Sequence, residues 1–263
     1  MPTKRTYADL GDACATAHGL DIVGDRWNLV VVRELLLGPR RFADLLSAVI
    51  GISPGVLTAR LRELQDAGVV EQVTLDDLAR TRAYRVTPWG AGLEDVMRAL
   101  GRWAHGSPSF PVPGTGMTPD AVIVAMRTMV PTEGVRADRP LTATWELHDE
   151  RRPAAGVRRY RLLWEGRCFD LAEGSLESPD VTVRGDSTAW TGAVFLGVPL
   201  DELERSGALA VEGDRDALAR VVAVFAPAAG ELSPGARVVG GRSAQTATST
   251  PGARPSPTAR PRS

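Results

Sequence analysis

The sequence predicts two domains of different class, a mainly α winged helix-turn-helix unit followed by an α+β unit. Three observations carry this. The chain has 263 residues, above the usual size of a single domain. Apolar residues recur at helical spacing through residue 68 and then give way to two short strand-like runs. Beyond residue 140 they alternate with polar residues two by two, the pattern of half-buried strands.

The elements follow in order. Residues 10–23 place Leu10, Ala13, Cys14, Ala17 and Leu20 on one helical face. A second helix starts near Trp27 and runs through the apolar stretch to Leu37, where Gly38 and Pro39 stop it. Phe42, Leu45, Leu46 and Val49 mark a third. After a turn at Gly51 and Ile52, Ser53 is an N-cap with Pro54 at the first helical position, and the fourth helix buries Leu57, Leu61 and Leu64 before Gly68. A short helix, a tight turn and a second capped helix form a helix-turn-helix. Residues 69–73 and 83–87 then read as a β-hairpin wing around the polar loop 74–82, and Thr87 with Pro88 opens a last helix carrying Leu93, Val96, Met97, Leu100 and Trp103.

The stretch 106–117 has no charge and is punctuated by Pro and Gly, so it reads as a linker. Thr118, Pro119 and Asp120 start a helix. Leu141, Ala143, Trp145 and Leu147 alternate with polar partners, as do Tyr160, Leu162 and Trp164, and Val181 and Val183. These are expected to be antiparallel strands. Helical segments at 187–196 and 200–206, a strand at 208–212 and a helix capped by Asp214 complete an α+β sandwich with helices on one face of the sheet. The Pro, Ser, Thr and Arg composition from 228 to 263 predicts a disordered, solvated tail. The domains expected are therefore 1–105, 118–227, the linker 106–117 and the tail 228–263.

Composition narrows the function. Hydrophobic residues at 43% and charged residues at 24% are ordinary for a globular protein. No apolar run reaches the roughly 18 residues of a membrane span, and the N-terminus lacks an apolar signal core. Two distant cysteines, Cys14 and Cys168, fit a reducing cytoplasm. His18, His105 and His148 are scattered, so neither a metal nor a cofactor is expected. The net charge of −1 hides a partition: residues 1–105 balance, 118–226 carry −5 and 227–263 carry +4. That distribution neither favours nor excludes DNA, since a basic footprint need only be local. Gly51, Ser53 and Gly55 spell the Gly-x-Ser-x-Gly of hydrolases, but that motif needs a strand before the serine, and here a helix precedes it. With no nucleophile–base pair, no enzyme is expected.

The runs LLLGPRRFADL (35–45), GISPGVLTARLRELQDAG (51–68) and YRVTPWG (84–90) resemble the HxlR family of bacterial winged-helix regulators over about residues 10–105. The resemblance implies a homodimer, paired through its first and last helices, on double-stranded DNA with a palindromic operator. With the three leucines inward, the helical wheel turns Gly55, Thr58, Ala59 and Arg62 outward for the major groove, where methyls meet thymine and Arg62 pairs with guanine. Ser53 stands at the start of that helix. Arg41, Arg80 and Arg82 suit phosphates, and Arg60 sits at the edge of the buried face, where it braces the fold or reaches a phosphate. Cys14 reads first as a small packed residue with no basic neighbour. The family supplies a second reading, since some members sense oxidants or electrophiles with a cysteine near the N-terminus; here Ala follows Cys14 where the family often has Pro.

The run GALAVEGDRDAL (207–218), with PDVTVRGD (179–186), is similar to the sterol-carrier-protein-2-like family. That resemblance implies an apolar tunnel between sheet and helices for a hydrophobic small molecule. Trp145, Trp164, Phe169, Trp190, Phe195 and Phe225 would line it; taken singly, each fits a packed core better than a pocket, while the set fits either equally. The expectation is a DNA-binding regulator modulated by a hydrophobic effector, the alternative a lipid-binding protein in which DNA binding is secondary. The third candidate, an enzyme carrying a sterol-carrier-like module, finds no catalytic constellation in this chain.

Overall fold

The computed structural model describes residues 5–107, 116–131 and 135–225. Most of the expected linker and all of the expected tail lie outside these residues. The first half comprises α1 (Ala15–Val23), α2 (Asn28–Leu35), α3 (Phe42–Ala48), α4 (Pro54–Asp66), β1 (Val70–Thr74), β2 (Arg82–Val86), α5 (Pro88–Ala91) and α6 (Leu93–His105). Val31, Val32, Leu35, Leu45, Leu57, Leu61 and Leu64 form its core with Val69 and Val70. Ser53 caps α4 by accepting from the Val56 amide at 3.4 Å, and Pro54 follows at the first turn. β1 and β2 pair antiparallel from Val70 with Val86 to Thr74 with Arg82.

Both ends of this half depart from the expected continuous helices. A single 3₁₀ turn, Ala8–Leu10, is ended by Gly11 at φ +85°, and α1 begins only after Cys14. The Asp12 carboxylate accepts the Cys14 amide at 2.8 Å, a local bond that competes with helix. Cys14 thus sits at the N-cap, exposed rather than packed. The last helix is divided at Gly92: Thr87 caps α5 through the Gly90 amide at 3.0 Å. Gly90 lies so close to the Val69 carbonyl that a Cβ would stand 2.1 Å from its oxygen.

The second half runs α7 (Pro119–Met129), β3 (Ala137–His148), β4 (Arg158–Gly166), β5 (Cys168–Glu173), β6 (Val181–Asp186), α8 (Ser187–Phe195), α9 (Leu200–Arg205), β7 (Leu209–Gly213) and α10 (Arg215–Ala223). Its five strands are ordered β5-β4-β3-β6-β7. The sheet is mixed, correcting the antiparallel expectation: β6 runs parallel to β3. The cause is the connection 174–180, which must pass β4 and β3 to reach the far side. It does so over the polar face, where Leu176 donates to Thr144 Oγ1 at 3.4 Å and Asp180 accepts from the Thr142 amide at 2.7 Å. Alternation reports faces and is blind to strand direction.

The opposite face packs on α7, α8 and α10. Trp145 and Trp190 are fully buried there, ring centroids 5.7 Å apart. On the polar face Arg159, Glu146, Arg184 and Glu212 form a cross-strand ion-pair ladder at 3.0, 3.0 and 2.6 Å.

All described residues belong to one compact unit, and its two cores meet along a seam. Leu37, just past α2, packs into the core of the sheet half. Arg40, 6% exposed, bonds Asp120 of α7 at 3.2 Å and Glu173 of β5 at 2.9 Å. Its backbone also pairs with Tyr84 of β2. Asp120 further accepts the Tyr160 hydroxyl at 2.6 Å and lies 3.6 Å from Arg158. Burial, and then the Asp120 charge, push the Tyr160 hydroxyl up, so it stays a donor. Glu34 is buried beside this cluster with Arg33 as its bonded partner, and burial pushes its carboxyl up. Arg127 of α7 bonds Glu94 of α6 and the Leu36 carbonyl.

Candidate nucleic-acid interface

The residues assigned to DNA fall in two groups, the outer face of α4 and the wing. Gly55, Thr58, Ala59 and Arg62 are all exposed on α4, opposite the buried Leu57, Leu61 and Leu64. The Thr58 hydroxyl bonds back to the Pro54 carbonyl at 2.9 Å, which leaves its methyl as the group with no internal partner. Arg62 has no ion pair among the described residues. Two small residues beside a free guanidinium allow close approach to a groove and one directed contact to a base edge. Arg60 differs: it is held by Asp25 at 2.9 Å and Glu63 at 2.7 Å, so it ties α4 to the loop before α2. Ser53 holds its hydroxyl on the helix end, and α3, not a strand, precedes it.

The wing carries Arg80 and Arg82, both exposed. Arg80 has φ +49°, the left-handed conformation that turns the hairpin tip. Leu78 stands wholly exposed beside it. Arg41 is not free: at 2.8 Å it pairs with Asp77 of the wing loop. The Asp77 carboxyl is held below the usual range by the Thr81 amide and side chain, with Arg41 adding to the effect. Arg41 thus fastens the start of α3 to the wing through one guanidinium nitrogen.

Two further features bear on assembly and sensing. On α6, Val96, Leu100 and Trp103 are 47%, 44% and 77% exposed, and Leu10 and Leu20 near α1 are 61% and 49% exposed. Val96, Leu100 and Trp103 share one face of α6 at helical spacing, an exposed apolar stripe of the kind that interaction faces present. Cys14 occupies the N-cap position of α1 without a side-chain cap hydrogen bond, and the nearby amides of Ala17 and then Thr16 lower its thiol pKa. The sequence reading missed this, although Gly11 and Asp12 are breakers that could have signalled an exposed helix start.

The six aromatic residues assigned to a ligand divide between the core and the borders of two clefts. Trp145 and Trp190 are core. Trp164, Phe169, Phe225 and Phe195 form an edge-to-face chain with centroids 5.5, 6.1 and 5.8 Å apart. Trp164 borders an open cleft of about 510 Å³ with Val135, Ala137 and Val224. Phe169 borders a second, of about 520 Å³, on the seam. The other four border neither cleft. Among the described residues no cluster of His, Cys, Asp or Glu could hold a metal, and no helix is long and apolar enough to cross a membrane.

A capped helix with an open outer face, set in a helix-turn-helix and followed by a β-hairpin wing, defines a transcriptional regulator of the winged helix-turn-helix type. The family model of the HxlR-like helix-turn-helix matches residues 22–108. The HTH-type transcriptional regulator YodB of Bacillus subtilis is 31% identical over 83 residues, covering 32% of this chain and 74% of that protein. The HTH-type transcriptional regulator sll1512 of Synechocystis is 32% identical over 92 residues, covering 35% of this chain and 68% of that one. The chain belongs to the HxlR-like helix-turn-helix family. The solved structure of the reduced form of YodB is 26% identical, with a TM-score of 0.35, over 38% of this chain and all of that one. The sheet half lies outside the residues that the family model matches.

Proposed function

We propose that this regulator binds a palindromic operator as a homodimer in the cytoplasm. α4 enters the major groove with Thr58, Ala59 and Arg62 toward the bases, Gly55 allowing close approach and Ser53 fixing the helix start. Arg80 and Arg82 take wing phosphates, and Arg41 joins them. The observation that carries this is the exposed Thr58, Ala59 and Arg62 face, with an unpaired guanidinium, on a helix whose other side is fully buried. The apolar faces of α1 and α6 form the dimer contact.

The proposed division is a DNA-binding domain, 1–105, and a sterol-carrier-like domain, 118–227, joined by 106–117 and followed by a tail, 228–263. Two separate hydrophobic cores support it, as does the order helix, strands, helices, strand, helix in the second half. The second domain takes a hydrophobic effector. Its support is the cleft beside Trp164, walled by Val135, Ala137 and Val224, rather than the full aromatic set.

A mobility-shift titration on the protein's own promoter tests the DNA assignment. Arg62→Ala should weaken specific binding by about 1–3 kcal/mol and relax preference at one base pair per half-site. Arg80→Ala should weaken binding to every sequence alike and reduce the salt slope by about one. Unchanged operator affinity in Arg62→Ala would overturn the groove assignment.

A further inference from the structure

The tip of the wing carries a feature that phosphate contacts leave unexplained. Leu78 is the most exposed large apolar side chain among the described residues. It stands with the exposed Ala79 at the centre of a four-residue turn, in which the Arg80 amide donates to the Asp77 carbonyl at 2.9 Å. Gly, Pro, Asn, Asp and Ser dominate turns, so an apolar pair at the apex needs a reason. The turn is also held fast. The Asp77 carboxylate accepts the Thr81 amide at 2.8 Å and pairs with Arg41 at 2.8 Å. The Leu75 amide donates to the Thr81 carbonyl at 2.8 Å. Arg80 closes the turn at φ +49°, the one positive φ outside glycine among the described residues. A backbone outlier fixed by its surroundings points toward function.

The chemistry around the apex selects the partner. Arg80 and Arg82 are exposed and have no ion pair among the described residues. With Asp77 engaged, Asp76 is the loop's one carboxylate left to oppose them, so the tip is net positive. A rigid apolar wedge beside unpaired arginines matches a DNA minor groove. Arginine is drawn to the negative potential there, and an apolar side chain enters between base pairs and unstacks them. β1 follows α4 directly, and the hairpin packs on the α4 core through Val69, Val70 and Tyr84, so the apex is fixed relative to α4.

We propose that Leu78 is a minor-groove wedge: it inserts at a base-pair step beside the half-site that α4 reads, with Arg80 and Arg82 on the flanking phosphates. The wedge rests on the regulator reading above and adds to it an apolar groove contact and a bend in the DNA.

The test is a mobility-shift titration of the full chain on its own promoter fragment, with the bend read by circular permutation of the site. The wild-type complex should be bent. Leu78→Ala should lose about tenfold in operator affinity and most of the bend. Its salt slope should stay unchanged, because no phosphate contact is lost. Leu78→Met, an apolar side chain of similar volume, should restore both affinity and bend. Replacing adenine by 2,6-diaminopurine places an amino group in the minor groove and keeps the major-groove pattern; it should weaken wild type and leave Leu78→Ala little changed. Full affinity and bend in Leu78→Ala overturn the wedge and leave the regulator reading standing, whereas no promoter binding by wild type overturns both. A straight wild-type complex, or an equal loss in Leu78→Met, overturns the wedge. So does a changed solution mass in Leu78→Ala, which would make the apex a protein contact.

Discussion

Arg40→Met probes how tightly the two cores are joined. Methionine keeps much of the apolar stem and removes the guanidinium. That group is 6% exposed and holds Asp120 at 3.2 Å and Glu173 at 2.9 Å. Removing one partner of a buried ion pair costs about 3–5 kcal/mol, because the other charge is left uncompensated. Asp120 keeps the Tyr160 hydroxyl at 2.6 Å and Arg158 at 3.6 Å, which places the loss at the low end, about 3 kcal/mol. Glu173 is 37% exposed in its side chain and adds little once water screens it. In a unit of this size, each kcal/mol moves the melting midpoint by about 2–4 °C, so the expected fall is about 6–12 °C. Circular dichroism melts measure it, and a double-mutant cycle with Asp120→Asn isolates the pair. The double variant should recover part of the loss, since no buried carboxylate is then left facing a missing cation. A midpoint within about 2 °C of wild type, or a double variant that loses the sum of the singles, would refute the reasoning.

Three other outcomes are expected. Cys14 should react with iodoacetamide with a pH midpoint below that of the same chain unfolded in urea, because folding supplies the α1 amides that stabilise its thiolate; equal midpoints would reject the lowered pKa. Trp103→Asp should convert the proposed dimer to monomer in light scattering, since it charges the most exposed of the apolar side chains on α6, and a mass equal to that of the unsubstituted chain would overturn the α6 contact. Glu34 has a raised folded pKa, so its contribution to stability is present below the usual carboxylate range and fades as pH rises through that raised value. Glu34→Gln should therefore flatten the decline of melting temperature with rising pH, and an unaltered slope would remove Glu34 as its source.

What was legible in the sequence was what short-range chemistry dictates. Ser53 before Pro54, Thr87 before Pro88, Thr118 before Pro119 and Asp214 each announce a helix start, and each caps one. The alternation from Leu141 to Leu147 gives a strand with one buried face, as found. The direction of β6 was not legible, because it depends on where the connection 174–180 travels. The aromatic set shows a second limit. Periodicity says that Trp145 and Trp190 face inward, but inward pattern is the same for a packed core and a cavity wall, and only packing distinguishes them. Cys14 failed for a third reason: a helical face drawn through residue 10 presumed a helix that the Asp12 turn begins five residues later.

The seam was also beyond reach, since Arg40 and Asp120 are 80 residues apart and each looks like a surface charge in its own stretch. Its composition has a functional consequence. The Arg40 backbone is bonded both ways to Tyr84 in the wing, at 2.8 Å in each direction, while its side chain is bonded to α7 and β5. The wing strand and the sheet half are therefore joined through one residue, and Arg127 joins α7 to α6 and to the end of α2. An effector on the sheet half alters DNA binding only by favouring a different arrangement of such joints, because a ligand that binds two arrangements equally shifts neither. Directional, charge-assisted bonds suit that role. An apolar seam tolerates small sliding at little cost, whereas a buried ion pair either keeps its geometry or leaves a charge uncompensated. That makes the Arg40 and Arg127 contacts the points where occupancy of either cleft would have to register.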